Sequence, residues 1–409
     1  MDSLKAKWRA REQEGVLRYS SNQPTLRPSK DGRFVVHLLQ ERLSKRQLGV
    51  QIKSTSQPYD ESKFHFRKVK LNEVVALVTS HETEEDTPMR FDFDPFPGVD
   101  ESSLLGDHLP SFSKDAPGQK GKEGNPTSAS PLLLAILMNV NPVLDFHSVL
   151  CPHIDKPLPQ LYTRETTLLV LRTYLSLARE TGGKGRNLRL MFNSIGAHAS
   201  VNSLHWHILD LPDTYPQRLM ANTKSSSDTQ ADLRAYPIEN APCQGGYPLL
   251  KGCVFETVPS WPVDTFVLSL EEKPGTDGSG WEKDAKTLES GMSAMVQVLQ
   301  ENDIPFNIYV SAEPKLRAFV WPRIFDFEAP SDGKCLVAVC ELAGHFILYD
   351  EAFFRQETLT AEEREGIAQQ ENGRETGPGP SGLETAAVLF RHPAGVINDL
   401  IWKKLFKSA

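Results

Sequence analysis

The stretch SVNSLHWHILDLP, residues 200–212, places His205 and His207 two positions apart among bulky apolar residues. In a β-strand successive side chains point to opposite faces, so the two imidazoles would share one face. The leucine, tryptophan and isoleucine that alternate with them would share the other face, which suits a core. The stretch therefore predicts a rigid strand that presents two histidines to whatever lies above it.

Length and composition predict a soluble globular protein. The chain has 409 residues, of which 39% are hydrophobic and 24% are charged. This length suits about two or three domains, or one large domain with insertions. The net charge of -8 argues against a general nucleic-acid binder, but it leaves room for a local pocket that takes a phosphate-bearing small ligand.

Cysteine use and the apolar runs of the sequence indicate the cytoplasm. None of the five cysteines forms a CxxC pair, which fits a reducing compartment with free thiols. Residues 1–15 are polar and charged and lack the apolar core of a signal peptide. The most apolar run, residues 131–144, is too short to span a membrane and is interrupted by asparagine and proline. We therefore expect a cytoplasmic protein without nucleic-acid or membrane partners, and the oligomeric state stays open.

The order of the predicted elements in the first half indicates an α+β fold. Residues 63–80 alternate and predict two strands, and a strand pair then flanks a turn near Asn141-Pro142. Three- and four-residue apolar spacing predicts a helix over Leu161–Glu180. A strand over residues 188–195 then leads into the histidine strand. This order is typical of an α+β meander rather than a βαβ repeat, and it contains no Gly-rich phosphate loop.

A second block has similar strand and helix content but no sequence repeat. It predicts strands over residues 252–258 and 265–270, a helix over residues 281–301, and a hairpin that turns at Ala312–Lys315. The chain is thereby divided into an N-terminal arm (1–49), a first half (50–212) with a flexible insertion (107–131), a polar connection (213–248), a second half (249–355), a disordered segment (356–383) and a C-terminal helix (384–409).

A histidine held firmly on a strand can act as a nucleophile toward phosphorus. The ordinary pKa of imidazole, about 6.5, leaves much of it neutral near pH 7, and the strand lowers the cost of reaching an attack geometry. Attack at an α-phosphorus would give a nucleotidyl-histidine and split one transfer into two steps. A His-x-His pair also occurs on surfaces and in metal sites. A zinc site, however, needs further ligands, and no cysteine is adjacent.

The residues around the two histidines resemble the histidine triad superfamily. In that superfamily an asparagine, a glycine and a short turn precede three alternating histidines, apolar residues and a proline. Here FNSIGAHAS supplies Asn193 and Gly196. Ser203 occupies the first histidine position, His205 falls on the central position, which is the nucleophile of the superfamily, and His207 falls on the third.

Four stretches narrow the resemblance to a family. QIKSTSQPYDESKFHFRKV, HSVLCPHIDKPLPQ, FNSIGAHASVNSLHWH and VAVCELAGHFIL follow in the order seen in the family of GDP-D-glucose phosphorylase and its plant relative GDP-L-galactose phosphorylase. This family belongs to the galactose-1-phosphate uridylyltransferase branch of the histidine triad superfamily. The resemblance covers residues 50–350 and implies a histidine-triad-like α+β fold, with two half-domains of antiparallel sheet and packed helices. It also implies that phosphate splits GDP-D-glucose into GDP and glucose 1-phosphate through a guanylyl group on His205, with no cofactor.

The sequence departs from the family pattern in three places. Ser203 replaces a histidine that can serve a structural metal in this branch, so no metal is expected. His65 stands where relatives carry asparagine, and HILDLP replaces a Tyr-rich strand end. These departures leave two further classes open. One is a histidine-triad hydrolase with water as the acceptor, and the other is a non-catalytic nucleotide-binding protein.

The predicted substrate-binding set consists of His207, Asn193, Ser203, Gly196, Glu341, His345 and Lys53. Asn193 could contact a phosphate or a ribose, or simply form a turn. Lys53 could bind an anion or be solvated. Glu341 and His345 lie in an otherwise apolar segment, where a buried acid and a buried histidine are costly unless they are paired. His147 is interpreted as structural.

Overall fold

In the computed structural model, helices cover one face of a long antiparallel sheet. The structure describes residues 1–19, 25–45, 52, 54–79, 90–92, 132–179, 185–212, 215, 234–271, 280–323, 335–358 and 405. The helices are α1 Asp2–Gln13, α2 Gln40–Lys45, α3 Arg164–Ala178, α4 Trp281–Glu301, α5 Val339–Leu342 and α6 Glu351–Glu357. The strands are β1 Thr25–Pro28, β2 Val35–Leu38, β3 Val74–Thr79, β4 Arg90–Asp92, β5 Leu132–Met138, β6 Ser148–Pro152, β7 Leu188–Asn193, β8 Trp206–Asp210, β9 Gln244–Leu250, β10 Cys253–Thr257, β11 Phe266–Leu270, β12 Phe306–Ser311, β13 Arg317–Pro322 and β14 His345–Leu348.

One 11-stranded sheet joins the two predicted halves. Its strand order is β4-β3-β5-β6-β8-β7-β12-β13-β11-β10-β9, and its neighbouring strands are antiparallel. The halves meet where β7 pairs with β12, with Asn193 opposite Asn307 and Arg189 opposite Ser311. The fold is α+β with antiparallel strands, as predicted, and the two halves share a single sheet.

Helices α3 and α4 lie side by side on one face of this sheet. The helix predicted over Leu161–Glu180 begins at Arg164, because the Thr163 side chain accepts a hydrogen bond from the Thr166 amide and caps the first turn. Helix α4 has the predicted bounds. Both helices bury leucine, valine and methionine side chains against the sheet in a first core. Among the described residues, no helix is both long enough and apolar enough to cross a membrane.

A second layer covers part of the other face of the main sheet. Strands β1, β2 and β14 form a 3-stranded sheet in which β2 and β14 are parallel. Its Phe34 and Phe346 rings pack edge to face at 5.2 Å, and they share a second core with Leu209 and Tyr309 of the main sheet. The predicted N-terminal arm therefore contributes to both layers, since α1 places Trp8 in the first core.

Two parts of the chain differ from the sequence-based expectation. Residues 63–80 contain one strand, β3, which follows two 3₁₀ helices, Phe66–Lys68 and Leu71–Glu73. The two-strand prediction is wrong here because the chain turns at Phe66 to lay that ring on His205, which takes it out of an extended conformation. The predicted polar connection contains the exposed edge strand β9 and a 3₁₀ helix, Pro237–Asn240.

Several predicted segments fall outside the described residues. They are the insertion 107–131, the part of the segment predicted to be disordered (356–383) that lies beyond residue 358, and the predicted C-terminal helix except residue 405. The first two residues of that segment belong to helix α6, so the prediction of disorder is wrong there. The proposed domain boundaries stay predictions.

A buried ion pair anchors the segment before β9 to the junction of the halves. Arg189 Nε donates to Glu239 Oε1 at 2.8 Å, and both side chains are at most 1% exposed. The Tyr236 amide, at 2.8 Å, and the Tyr309 hydroxyl donate to the same oxygen, while Ser311 Oγ donates to Oε2 at 2.7 Å. Because both charges are removed from water, loss of one partner leaves the other buried and unpaired.

We expect Glu239→Ala to lower the free energy of unfolding by about 3–5 kcal/mol, because it strands the Arg189 guanidinium in the core. The matched control is Glu351→Ala, which breaks the exposed pair between Glu351 and Arg355 on α6 and should change the unfolding free energy by less than about 0.5 kcal/mol. Chemical denaturation of both variants measures the difference. Equal losses in the two variants would contradict a structural role for the buried pair.

Candidate active site

The two histidines of the quoted stretch lie together at the start of β8. His205 directly precedes the strand and His207 lies within it, and the two ring centroids are 4.9 Å apart. The apolar side chains that alternate with them pack in the first core, as predicted. The two-residue period of the strand thus separates a core face from a histidine face.

The histidine face lines a cavity of about 160 Å³ between the main sheet and the segments that cover it. The polar lining includes Arg42, His147, Asn193, His198, His205, His207 and Glu341. Phe66 closes one side, with its ring centroid 4.8 Å from that of His205. The cavity therefore brings together residues that are distant in sequence.

His205 is held as a neutral imidazole. Its Nδ1 lies 2.8 Å from the carbonyl oxygen of Ser203. Because a carbonyl only accepts, Nδ1 carries the hydrogen and the lone pair of the neutral ring lies on Nε2. Burial lowers the pKa of His205 to about 4, against the smaller raising effect of the Ser203 hydrogen bond. The geometry provides an uncharged nitrogen that can attack an electrophile.

Gln160 clamps the chain on either side of His205. Its side-chain Oε1 accepts a hydrogen bond from the His205 amide at 2.8 Å. Its Nε2 donates to the carbonyl of Asn193 at 2.9 Å and to the carbonyl of His205 at 3.0 Å. One buried amide therefore joins the end of β7 to the start of β8. The sequence gave only a weak indication of this role. Gln160 follows a proline-rich stretch, and a glutamine that is buried there needs hydrogen-bond partners.

His147 belongs to the site, although its sequence context indicated only a structural residue. Its Nε2 lies 3.0 Å from His207 Nδ1 and 3.0 Å from Asn139 Nδ2, and its Nδ1 accepts from the Val143 amide at 3.0 Å. Burial, and then the positive charge of Arg42, hold the pKa of His147 well below its usual range. These contacts fix the orientation of the His207 ring at the cavity wall.

Two further members of the predicted substrate-binding set line the cavity with His207. Asn193 Oδ1 accepts from Asn307 Nδ2 at 2.6 Å, which leaves the side-chain NH₂ of Asn193 for a ligand. Glu341 is buried, and its Oε2 accepts from the Ala338 amide at 2.9 Å. Asn193, His207 and Glu341 therefore line the same cavity as His205.

Three other members of the predicted set do not line the cavity. Ser203 orients His205 through its backbone carbonyl and not through its hydroxyl, so the residue type at this position does not decide the orientation. Gly196 has φ 82° in a tight turn, so its role is to allow this left-handed backbone conformation. His345 lies in the second core, with its ring 5.4 Å from Tyr236 and 5.5 Å from His37. Lys53 lies outside the described residues.

The segment that carries Phe66 is tied down at both ends. At its start, Thr55 donates to Asp303 Oδ1 through its amide at 2.8 Å and through its hydroxyl at 2.6 Å. At its end, the Phe66 amide donates to Ser203 Oγ at 3.4 Å. His65 is buried with its Nε2 3.1 Å from Glu61 Oε2. The segment thus forms a cover over His205 that is held in place at both ends.

In the described part of the chain, no group of three or more histidine, cysteine or acidic side chains has a metal-binding arrangement, and the five cysteines are free. The expectation that no metal is needed stays a prediction.

We expect the His205 ring to stay neutral, with its hydrogen on Nδ1, from pH 8 down to about pH 5. Its pKa in the folded chain, about 4, lies below the unfolded value of about 6.5. The unfolded chain therefore takes up a proton first, so the contribution of His205 to stability is complete above about pH 6.5 and is lost as the pH falls toward 4. Ring ¹⁵N NMR, assigned with His205→Gln, measures this titration. A midpoint near 6.5 would show that the ring is not desolvated.

We expect Gln160→Met to lower the free energy of unfolding by about 2 kcal/mol, because it leaves the His205 amide and two carbonyl groups without their partner. The control is Gln297→Met on the exposed face of α4, where Gln297 Nε2 donates to Glu301 at 2.8 Å and loss of this contact should matter by less than about 0.5 kcal/mol. Thermal and chemical unfolding compare the two. A Gln160 variant as stable as the control variant would show that the hydrogen bonds of Gln160 do not stabilise the fold.

Two family models match the chain over most of its length. "GDPGP1-like, N-terminal domain" matches residues 1–94 and 109–209, and "GDPGP1-like, C-terminal domain" matches residues 237–365. Similar curated proteins include GDP-L-galactose phosphorylase 2 of Arabidopsis thaliana, 26% identical over 83% of this chain, and GDP-D-glucose phosphorylase 1 of Homo sapiens, 26% identical over 84%. The chain spans 65% of the length of the Arabidopsis protein and 72% of the human one.

The solved structures that match this chain include yeast Ap4A phosphorylase Apa2 in complex with Ap4A. The match has a TM-score of 0.48 and 14% identity, and it covers 90% of this chain and 94% of the yeast chain.

Proposed function

The chain belongs to the GDPGP1-like family, and from this membership we propose that it is a GDP-sugar phosphorylase that works through a guanylyl group on His205. The observation that carries the proposal is the buried, neutral His205, whose Nδ1 hydrogen is donated to a carbonyl and whose Nε2 is thereby left with its lone pair. The relatives named GDP-D-glucose phosphorylase and GDP-L-galactose phosphorylase support the substrate class.

The proposed reaction consists of two displacements at the same phosphorus. In the first, His205 Nε2 attacks the α-phosphorus of the GDP-sugar, the N–P bond forms, and the bond to the bridging oxygen breaks. The sugar 1-phosphate leaves with that electron pair. In the second, an oxygen of inorganic phosphate attacks the α-phosphorus, the N–P bond breaks, and His205 recovers its lone pair. The products are GDP and the sugar 1-phosphate, and no group is oxidised or reduced.

Groups that surround His205 would stabilise the charge that gathers on the phosphoryl oxygens. The Asn193 NH₂ group and the His207 ring line the cavity beside it, and His147 fixes the His207 ring. Fixed donors in a buried site stabilise such charge without reorganising during the reaction. The cover formed by Phe66 limits the access of water, which favours phosphate as the acceptor over hydrolysis.

For the natural substrate we propose GDP-D-glucose. The names of the relatives support both the guanine base and glucose, and GDP-L-galactose is the other sugar nucleotide that they support. A guanine pocket would reject other bases strongly, because unmatched hydrogen-bonding groups would be left buried and unpaired. The cytoplasmic location expected from the sequence stays a prediction.

We expect wild-type protein incubated with GDP-glucose, without phosphate, to gain the mass of one guanylyl group, and to lose it as GDP when phosphate is added. His205→Ala should gain none, because it lacks the attacking nitrogen. UDP-glucose should form far less adduct than GDP-glucose. Its kcat/KM in the complete reaction should be lower by a factor of up to roughly ten thousand. Intact mass spectrometry and product analysis give both readouts.

The control for this experiment is His153→Asn. His153 lies outside the cavity lining and has φ 45°, a left-handed conformation that asparagine tolerates. This variant should form the adduct as the wild type does. An adduct that persists in His205→Ala, or its absence from the wild type, would overturn the assignment.

A further inference from the structure

We propose that Arg42 binds the phosphoryl group next to the reacting phosphorus, first as part of the sugar nucleotide and then as the acceptor phosphate. The inference rests on the function proposed above, and it assigns the anion site of that reaction. Arg42 lies in the short helix α2 and lines the same cavity as His205 and His207. No local pattern in the sequence marks this arginine.

The Arg42 guanidinium is anchored by neutral groups. Its NH1 group donates to the Tyr19 hydroxyl at 3.2 Å and to the carbonyl oxygen of Asn141. The buried Nε of Arg42 has no hydrogen-bond partner in the part of the chain that the structure describes. A guanidinium carries five N–H donors in a planar fork. Arg42 is therefore held in one place while its charge is not cancelled and some of its donors stay available.

The carboxylates of the cavity face other groups. Glu341 accepts from the Ala338 amide, and Glu73 accepts from the Lys70 amide at 3.2 Å. The other arginine in the lining, Arg18, lies close enough to Glu73 to lower the pKa of Glu73, against the larger raising effect of burial. Within the described residues, no carboxylate forms an ion pair with Arg42. An anionic ligand that enters this cavity would therefore supply the negative charge that pairs with Arg42.

The position of Arg42 suits both the sugar phosphate that leaves in the first displacement and the acceptor phosphate that enters in the second. Its guanidinium donates to the carbonyl oxygen of Asn141, and the Asn141 amide donates to Asn139 Oδ1 at 3.0 Å. The Asn139 Nδ2 atom lies 3.0 Å from His147 Nε2, so the guanidinium lies at the His147 side of the cavity. In a phosphoryl transfer the attacking and leaving oxygens lie roughly in line. The leaving oxygen of the first step and the entering oxygen of the second therefore both lie opposite His205 Nε2. One phosphoryl site serves the sugar nucleotide, free phosphate and the product GDP in turn.

The test compares Arg42→Met and Arg42→Lys with Arg355→Met, a control in which the exposed arginine of α6 is replaced. Three quantities are measured: the KM for phosphate, the rate of guanylyl-adduct formation without phosphate, and the rise in Tm produced by inorganic phosphate. We expect Arg42→Met to raise the KM for phosphate at least tenfold, to slow adduct formation at least tenfold, and to abolish the Tm rise. Arg42→Lys should keep part of each, because it retains the charge but not the fork.

A second variant separates binding from a structural role. Tyr19→Phe removes one anchor of Arg42 but leaves its charge in the cavity. A structural role predicts that Tyr19→Phe and Arg42→Met lower the Tm and the activity in parallel. A binding role predicts that Tyr19→Phe keeps most of its affinity for phosphate while Arg42→Met loses it.

The possible outcomes distinguish this inference from the proposed function. If the wild type forms the adduct and Arg42→Met keeps the wild-type KM and adduct rate, the Arg42 assignment is overturned and the proposed function stands. If the wild type forms no adduct, the proposed function fails. In that case the phosphate-induced Tm shift tests the anion site independently of the reaction. An equal shift in the wild type and the Arg42 variants would overturn the Arg42 assignment. Should Arg42→Met not fold, Arg42→Lys gives the same decision from the three quantities.

Discussion

The pleat of strand β8 forces its apolar side chains and its histidines onto opposite faces of the main sheet. Trp206 is fully buried in the first core, so a shift by one residue would expose it and place His207 against the helices. Pairing on both sides prevents such a shift, because Ile208 lies opposite Ser148 of β6 and Leu190 of β7. The cavity, the clamp and the covering segments are all built against the face that this register fixes.

What the sequence predicted well depends on local spacing. The helix predicted over residues 281–301 is α4, with the same bounds, and the hairpin predicted to turn at Ala312–Lys315 is formed by β12 and β13. The same two-residue rule placed His205 and His207 on one face. It failed over residues 63–73, where the chain forms two 3₁₀ helices before β3 and not a strand. Periodicity predicts a structure only where a whole element faces one environment.

What the sequence could not predict depends on contacts between distant segments. Gln160 meets His205 across 45 residues, His147 meets His207 across 60, and Arg42 meets Asn141 across 99. No local pattern marks such pairs, because they arise only when the sheet brings its strands together. His345 is a different case. It was predicted to bind substrate, yet the structure places its ring beside Tyr236 and outside the cavity lining.

The proposed attack of a neutral imidazole on an anionic substrate places two opposing electrostatic demands on the site. Burial keeps His205 unprotonated, but the same burial makes it costly to bring a charged phosphoryl group into the cavity. A guanidinium can meet both demands because its pKa is so high that it keeps its charge where a buried lysine would lose it. Burial, and then the positive charge of Arg42, lower the pKa of His147. The cation that would attract the substrate thereby also disfavours protonation of His147, the residue that contacts the His207 ring beside His205.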